Sequence, residues 1–199
     1  MKSSLRSAFT VIEMITVIAI VAILMAVLVP VVSNMMGSAS RSSDANNLRQ
    51  LAMAYIAHIT ESGATKSASF NSVDDWAVAL AQAGNFNEPA LFIAQGDPAI
   101  TGTLPTKVHT NGAVDSTFAA SPLSVAAPKV VNLNSSAAST PVVWTRGLQA
   151  DGTWSANSPY GIKGGYVAFL DGHVTFYKQV PTSTINIPAT ADTLQRAGS

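Results

Sequence analysis

Glu13 carries the chemistry that most needs explaining. It sits near the head of an apolar run from Val11 to Val32 that is otherwise interrupted only by Thr16 and Pro30. A carboxylate among such neighbours is costly unless a positive group or water meets it. The other titratable groups are scattered. Asp171 and His173 stand close together, but Asp151 is the only other acid between Pro141 and Pro181. Calcium takes about six to eight oxygen ligands, more than these two carboxylates supply, and both aspartates read as turn formers. His58, His109 and His173 lack the paired spacing of a zinc site. The chain has no cysteine, which excludes disulfides and thiolate ligands. It contains no Gly-x-Ser-x-Gly, no His-Glu-x-x-His and no phosphate-binding glycine loop. These patterns predict neither an enzyme nor a resident cofactor. A formal net charge of zero gives no electrostatic reason to expect a nucleic-acid partner.

The elements that must position Glu13 begin with the run itself. As a helix, Val11 to Val32 would extend roughly 33 Å, against a hydrocarbon core of about 30 Å. Lys2 and Arg6 precede it and no basic residue follows until Arg41. The charge rule then predicts a single span with a cytoplasmic N-terminus. A cleaved secretory signal is disfavoured, because the small residues Ser7-Ala8 precede the apolar core instead of following it. Beyond the run, Leu48, Leu51, Ala52, Tyr55 and Ile59 recur at three- and four-residue steps, the stripe of an amphipathic helix. Asp44, Asn47 and Arg49 are expected to face solvent, the helix to end near Gly63, and Pro30 and Gly37 to mark bends.

A second helix is predicted from Ser72, with Asp74 and Asp75 in its first turn and Gly84 at its end. Trp76 is its expected core anchor against the first helix. From Asn85 to Pro141 periodicity is weak, and loops with a few short strands are expected. Val142-Val143-Trp144 reads as a strand. Asp-Gly at Asp171-Gly172 lies between alternating segments, a hairpin signal. A two-residue turn there would set Phe169 against Val174 and Val167 against Phe176. Those four side chains would share the face that packs on the long helix.

Ala8-Phe9-Thr10-Val11-Ile12-Glu13-Met14 resembles the processing motif of type IV pilins and type II secretion pseudopilins. The resemblance implies cleavage between Ala8 and Phe9 by a prepilin peptidase and N-methylation of Phe9. Ala8 stands where that family strongly prefers glycine. Glu13 would meet the amine of a neighbouring subunit and set axial registry, and Pro30 would kink the helix. Phe169 to Val174 is similar to the closing hairpin of pseudopilin-like proteins. The implied fold class is α+β and pilin-like, with a long N-terminal transmembrane helix packed on a small antiparallel sheet. The divisions are a leader at 1–8, a long helix at 9–62 (transmembrane 9–32, amphipathic 33–62), a head at 63–180 and an extended or disordered tail at 181–199.

The implied function is structural: a subunit of a pseudopilus or pilus-like filament, assembled from the bacterial inner membrane with its head in the periplasm. Its partners would be copies of itself, other pseudopilins and an inner-membrane assembly platform. Calcium in a C-terminal loop is the one ion that the resemblance admits. An adhesive or DNA-uptake pilin, or a membrane-anchored periplasmic protein that never assembles, are the alternatives.

Overall fold

The computed structural model describes residues 11–61 and 67–196, without the side chains of 27–39 and 190. The chain divides into two units, Met1–Ser40 and Arg41–Ser199. Helix α1 is assigned from Val11 to Glu61, so its later residues belong to the second unit.

The membrane expectation is corrected here. Among the described residues no helix is long and apolar enough to cross a membrane. The fold class as expected, built on a transmembrane helix, goes with it. So do the membrane partner and the single-pass inner-membrane location. Ala8, Phe9, the leader at 1–8 and Gly63 lie outside the described residues.

In the second unit, the α1 stripe is internal. Leu51, Ala52, Tyr55 and Ile59 are fully buried and Leu48 nearly so. Helix α2 (Val73–Ala83) starts where Ser72 accepts the backbone N–H of Asp75 at 3.0 Å, and this cap satisfies one of the orphan donors of the first turn. Trp76 on α2 is fully buried, with its ring edge-on to Tyr55 at 6.3 Å and to Phe92 at 5.7 Å. A one-turn helix, α3 (Ser116–Ala120), is capped by Asp115 and buries Phe118.

Among the described residues three antiparallel sheets complete the unit. Strand β1 (Ser67–Ser69) pairs with β5 (Val130–Asn132), and β2 (His109–Thr110) with β3 (Ala113–Val114). The main sheet has β4 (Val125–Pro128), β6 (Pro141–Thr145), β7 (Gly165–Phe169), β8 (Val174–Tyr177) and β9 (Thr193–Gln195), in the order β8-β7-β6-β4-β9. Strands β4 and β6 are buried along their whole length, because both faces of the sheet are covered. The α1 and α2 side takes Val125, Ala127, Val143 and Ala168. The opposite side collects Ala126, Trp144, Trp154, Val167 and Phe169, closed over by Val180 and Ile185. Ile185, from the segment expected to form a loose tail, therefore helps seal a core. Leu194 of β9 is 3 % exposed and pairs with Ala127.

The hairpin register differs from the expected one by one residue. Ala168 faces Val174 and Tyr166 faces Phe176. Phe169 N–H donates to His173 O at 3.0 Å, and Gly172 N–H to Phe169 O at 2.8 Å. The loop is thus Leu170-Asp171-Gly172, with Gly172 at φ +83°. A three-residue loop ending on a left-handed glycine bulge is a standard alternative to the two-residue turn. The slip moves side chains between faces. Val167 and Phe169 pack away from α1, while Tyr166, Ala168 and Val174 join the core that contains the α1 stripe.

Candidate functional site

Glu13 lies in the first turn of α1, and its carbonyl accepts the Thr16 hydroxyl at 2.9 Å. Every described side chain from Val11 to Ala26 is exposed. The large apolar ones range from Val21 at 46 % to Val11 at 76 %. The helix is apolar on all sides, not along one stripe, a pattern ordinarily found only where a helix is enclosed. Pro30 falls within α1, and its side chain is outside the description.

Asp171 and Gly172 occupy the β7–β8 turn. The Asp171 carboxylate accepts the His173 backbone N–H at 3.1 Å and lies 2.5 Å from His173 Nδ1. That backbone bond is the main cause holding the Asp171 carboxyl below its ordinary value. The His173 ring stacks on Phe169 at 4.2 Å, so the pair braces a turn. His109 lies in β2, where its Nδ1 accepts the Gly112 N–H at 3.4 Å. Asp151 accepts the Thr153 N–H and hydroxyl. Among the described residues, no three His, Cys, Asp or Glu side chains gather as a metal site.

The second unit instead concentrates charge at residues not expected to form a site. Asp44 was expected at the surface but is 2 % exposed. Its Oδ2 accepts the Tyr160 hydroxyl at 2.5 Å and its Oδ1 the Gln95 N–H at 3.2 Å. Nearby, Asp97 and Arg146 are each 4 % exposed and form an ion pair at 2.9 Å. The remaining capacity of Asp97 is filled by the Ser124 hydroxyl at 2.6 Å and the Ala99 N–H at 2.9 Å. Arg146 also donates to Leu123 O and Asn157 O. Each buried charge is met by a partner of opposite sign or by hydrogen bonds, as burial demands. A cleft of about 480 Å³ opens beside this network, lined by Asn47, Ile93, Gln95, Asp97, Ile100 and Leu104 among others.

Comparison with protein-family models, curated proteins and solved structures finds no match.

The resemblance to pilins and pseudopilins is corrected on that ground. No family model supports it, and among the described residues no helix is long and apolar enough to cross a membrane. With it go the filament subunit, the prepilin peptidase and assembly platform as partners, and the inner-membrane site of assembly. The Asp-Gly turn carries little weight for a family, since Asp-Gly marks tight turns in many folds.

Asp44 supplies a test of the buried network. Burial raises its carboxyl above the ordinary 3.8, and Asp97 adds to the rise, while the Tyr160 and Gln95 hydrogen bonds oppose it. A raised folded-state pKa means that the contribution favouring the fold is complete below the unfolded value. It is lost as pH rises through the folded value. Asp44→Asn keeps the side chain's shape and removes the charge. The variant is therefore expected to lose this downward slope of stability with rising pH, starting from 3.8. Urea unfolding midpoints across that range, compared with the parent chain, check it. An identical slope in both proteins would assign the pH dependence elsewhere.

Proposed function

We propose that this chain is a non-catalytic interaction protein whose helical residues 11–26 are covered by apolar helices of a protein partner. The observation behind this reading is the exposure of Val11, Ile12, Ile15, Ile18, Ile23 and their neighbours on every side of one helix. Apolar surface of this extent marks an interaction site. Each Val or Ile side chain fully covered contributes about 1.5–3 kcal/mol. A groove on a single helix or sheet covers one stripe only, so a helix apolar all round calls for several enclosing helices. The absence of a catalytic role is supported by how the second unit uses its charged groups. Asp97 and Arg146 neutralise each other, and Asp171 with His173 braces a turn.

A photo-crosslinking amino acid at Ile18 or Ile23, in cells expressing the full chain, tests the reading. Protease-sensitive adducts carrying a second polypeptide are expected there. Few are expected from the same group at Ile162, an isolated apolar residue of the second unit that is 76 % exposed. Adducts to lipid alone, or equal polypeptide adducts at all three positions, would overturn it.

A further inference from the structure

We propose that the cleft beside the Asp97–Arg146 pair is a binding site for an uncharged peptide segment with an aliphatic side chain. It lies wholly in the second unit and is independent of the role given to residues 11–26. Its volume, about 480 Å³, falls in the range of ordinary small-ligand sites.

The lining selects the ligand's chemistry. Ala90, Ile93, Ala94, Ile100 and Leu104 give an aliphatic wall with no aromatic ring to stack on. Leu104 is 48 % exposed at the rim. The polar groups are amides and a hydroxyl: Asn47, Gln95 and Ser43. Asn47 Nδ2 already donates to Ala90 O at 3.2 Å, so the exposed Gln95 amide is the group that offers both a donor and an acceptor to the N–H and C=O of a peptide group. The one charged lining residue, Asp97, is neutralised by Arg146. A charged ligand would give up its hydration without an opposite charge to meet it.

The cleft is also built in advance. The Asp97 side chain holds the Ala99 N–H, its backbone N–H reaches Ala94 O at 3.3 Å, and Ile100 N–H reaches Asp97 O at 3.0 Å. The Gln95 backbone is tied to Asp44, leaving the Gln95 side chain at an exposed position. A loop fixed before binding spares the ligand the cost of ordering it.

The test is titration of the full, isotope-labelled chain with a blocked tripeptide, acetyl-Ala-Leu-Ala-amide, followed by amide chemical shifts. Saturable shifts are expected at Gln95, Gly96, Ile100 and Leu104. Gln95→Ala is expected to weaken binding about fivefold, the equivalent of one hydrogen bond. Leu104→Asp is expected to weaken it about tenfold or more, by removing an apolar contact and adding a charge. Both positions are exposed enough for the fold to tolerate the change, and unchanged thermal melting confirms that. Replacing the peptide's Leu by Lys should abolish saturable shifts. Shifts centred outside the cleft, no shifts at millimolar peptide, or Leu104→Asp binding as tightly as the parent would each overturn the proposal.

Discussion

Arg146→Met is expected to cost the second unit about 3–5 kcal/mol, the usual penalty for orphaning one member of a buried ion pair. The guanidinium is 4 % exposed and serves three acceptors: Asp97 Oδ1, Leu123 O and Asn157 O. Methionine fills similar space but donates nothing. Asp97, equally buried, would keep only the Ser124 hydroxyl and the Ala99 N–H. Two neutral donors do not offset a carboxylate's lost hydration as a guanidinium does. The two carbonyls would add their own unsatisfied cost.

Most of that penalty belongs to the stranded charge and not to the pair itself. Asp97→Asn combined with Arg146→Met is therefore expected to recover a large part of the loss, because neither of the two positions then buries a charge. Urea unfolding of the parent, both single variants and the double variant closes the cycle. A single-variant cost below about 1 kcal/mol would mean that the pair behaves like a solvated surface pair. Amide hydrogen exchange gives a second readout. Protection should fall at Asp97 and Ile100, whose backbone bonds form the lip of the cleft.

Local chemistry made the helices legible, and long-range pairing hid the polar network. The three- and four-residue spacing of Leu48, Leu51, Ala52, Tyr55 and Ile59 needs only one helix face to be buried, and that face is buried. The Ser72 cap with Asp75 is likewise a matter of neighbouring residues. Asp44 was missed although a signal existed. It stands one helical step, four residues, before Leu48 and so continues the same stripe inward. Its charge argued for solvent, and Tyr160, far along the chain, overrode that argument. The partnership of Asp97 with Arg146 leaves no local trace, since it depends on the residue after β6 and the segment between α2 and β2 meeting in space.

The turn at Asp171-Gly172 shows a finer failure. Asp-Gly suits both a two-residue turn and the last two positions of a three-residue loop. Only the packing of Val167 and Phe169 against Trp144 and Trp154 selects the latter. The sealing role of Val180, Ile185 and Leu194 was hidden for the same reason. Their proline- and threonine-rich surroundings read as loose chain, yet Val180 and Ile185 close the sheet's second face and Leu194 packs into the core on the α1 side.

Trp76 separates shape from polarity in the core more sharply than any other side chain here. Trp76→Ala is expected to destabilise the second unit by about 3–5 kcal/mol, since it empties a fully enclosed site between Tyr55 and Phe92. Edge-on ring contacts of this kind add about 0.5–1.5 kcal/mol beyond area. Trp76→Phe is expected to cost far less, about 1 kcal/mol, for two reasons. The smaller ring keeps most of the aromatic contact. It also removes the indole N–H, which is buried without a hydrogen-bond partner among the described residues. An unsatisfied buried donor carries a desolvation penalty of about 1–3 kcal/mol, and phenylalanine does not incur it. This gain offsets part of the lost volume. Denaturant titration of both variants measures the difference. A Phe variant as unstable as the Ala variant would show that the indole N–H has a partner whose loss matters more than the ring, and the packing account of this residue would fail.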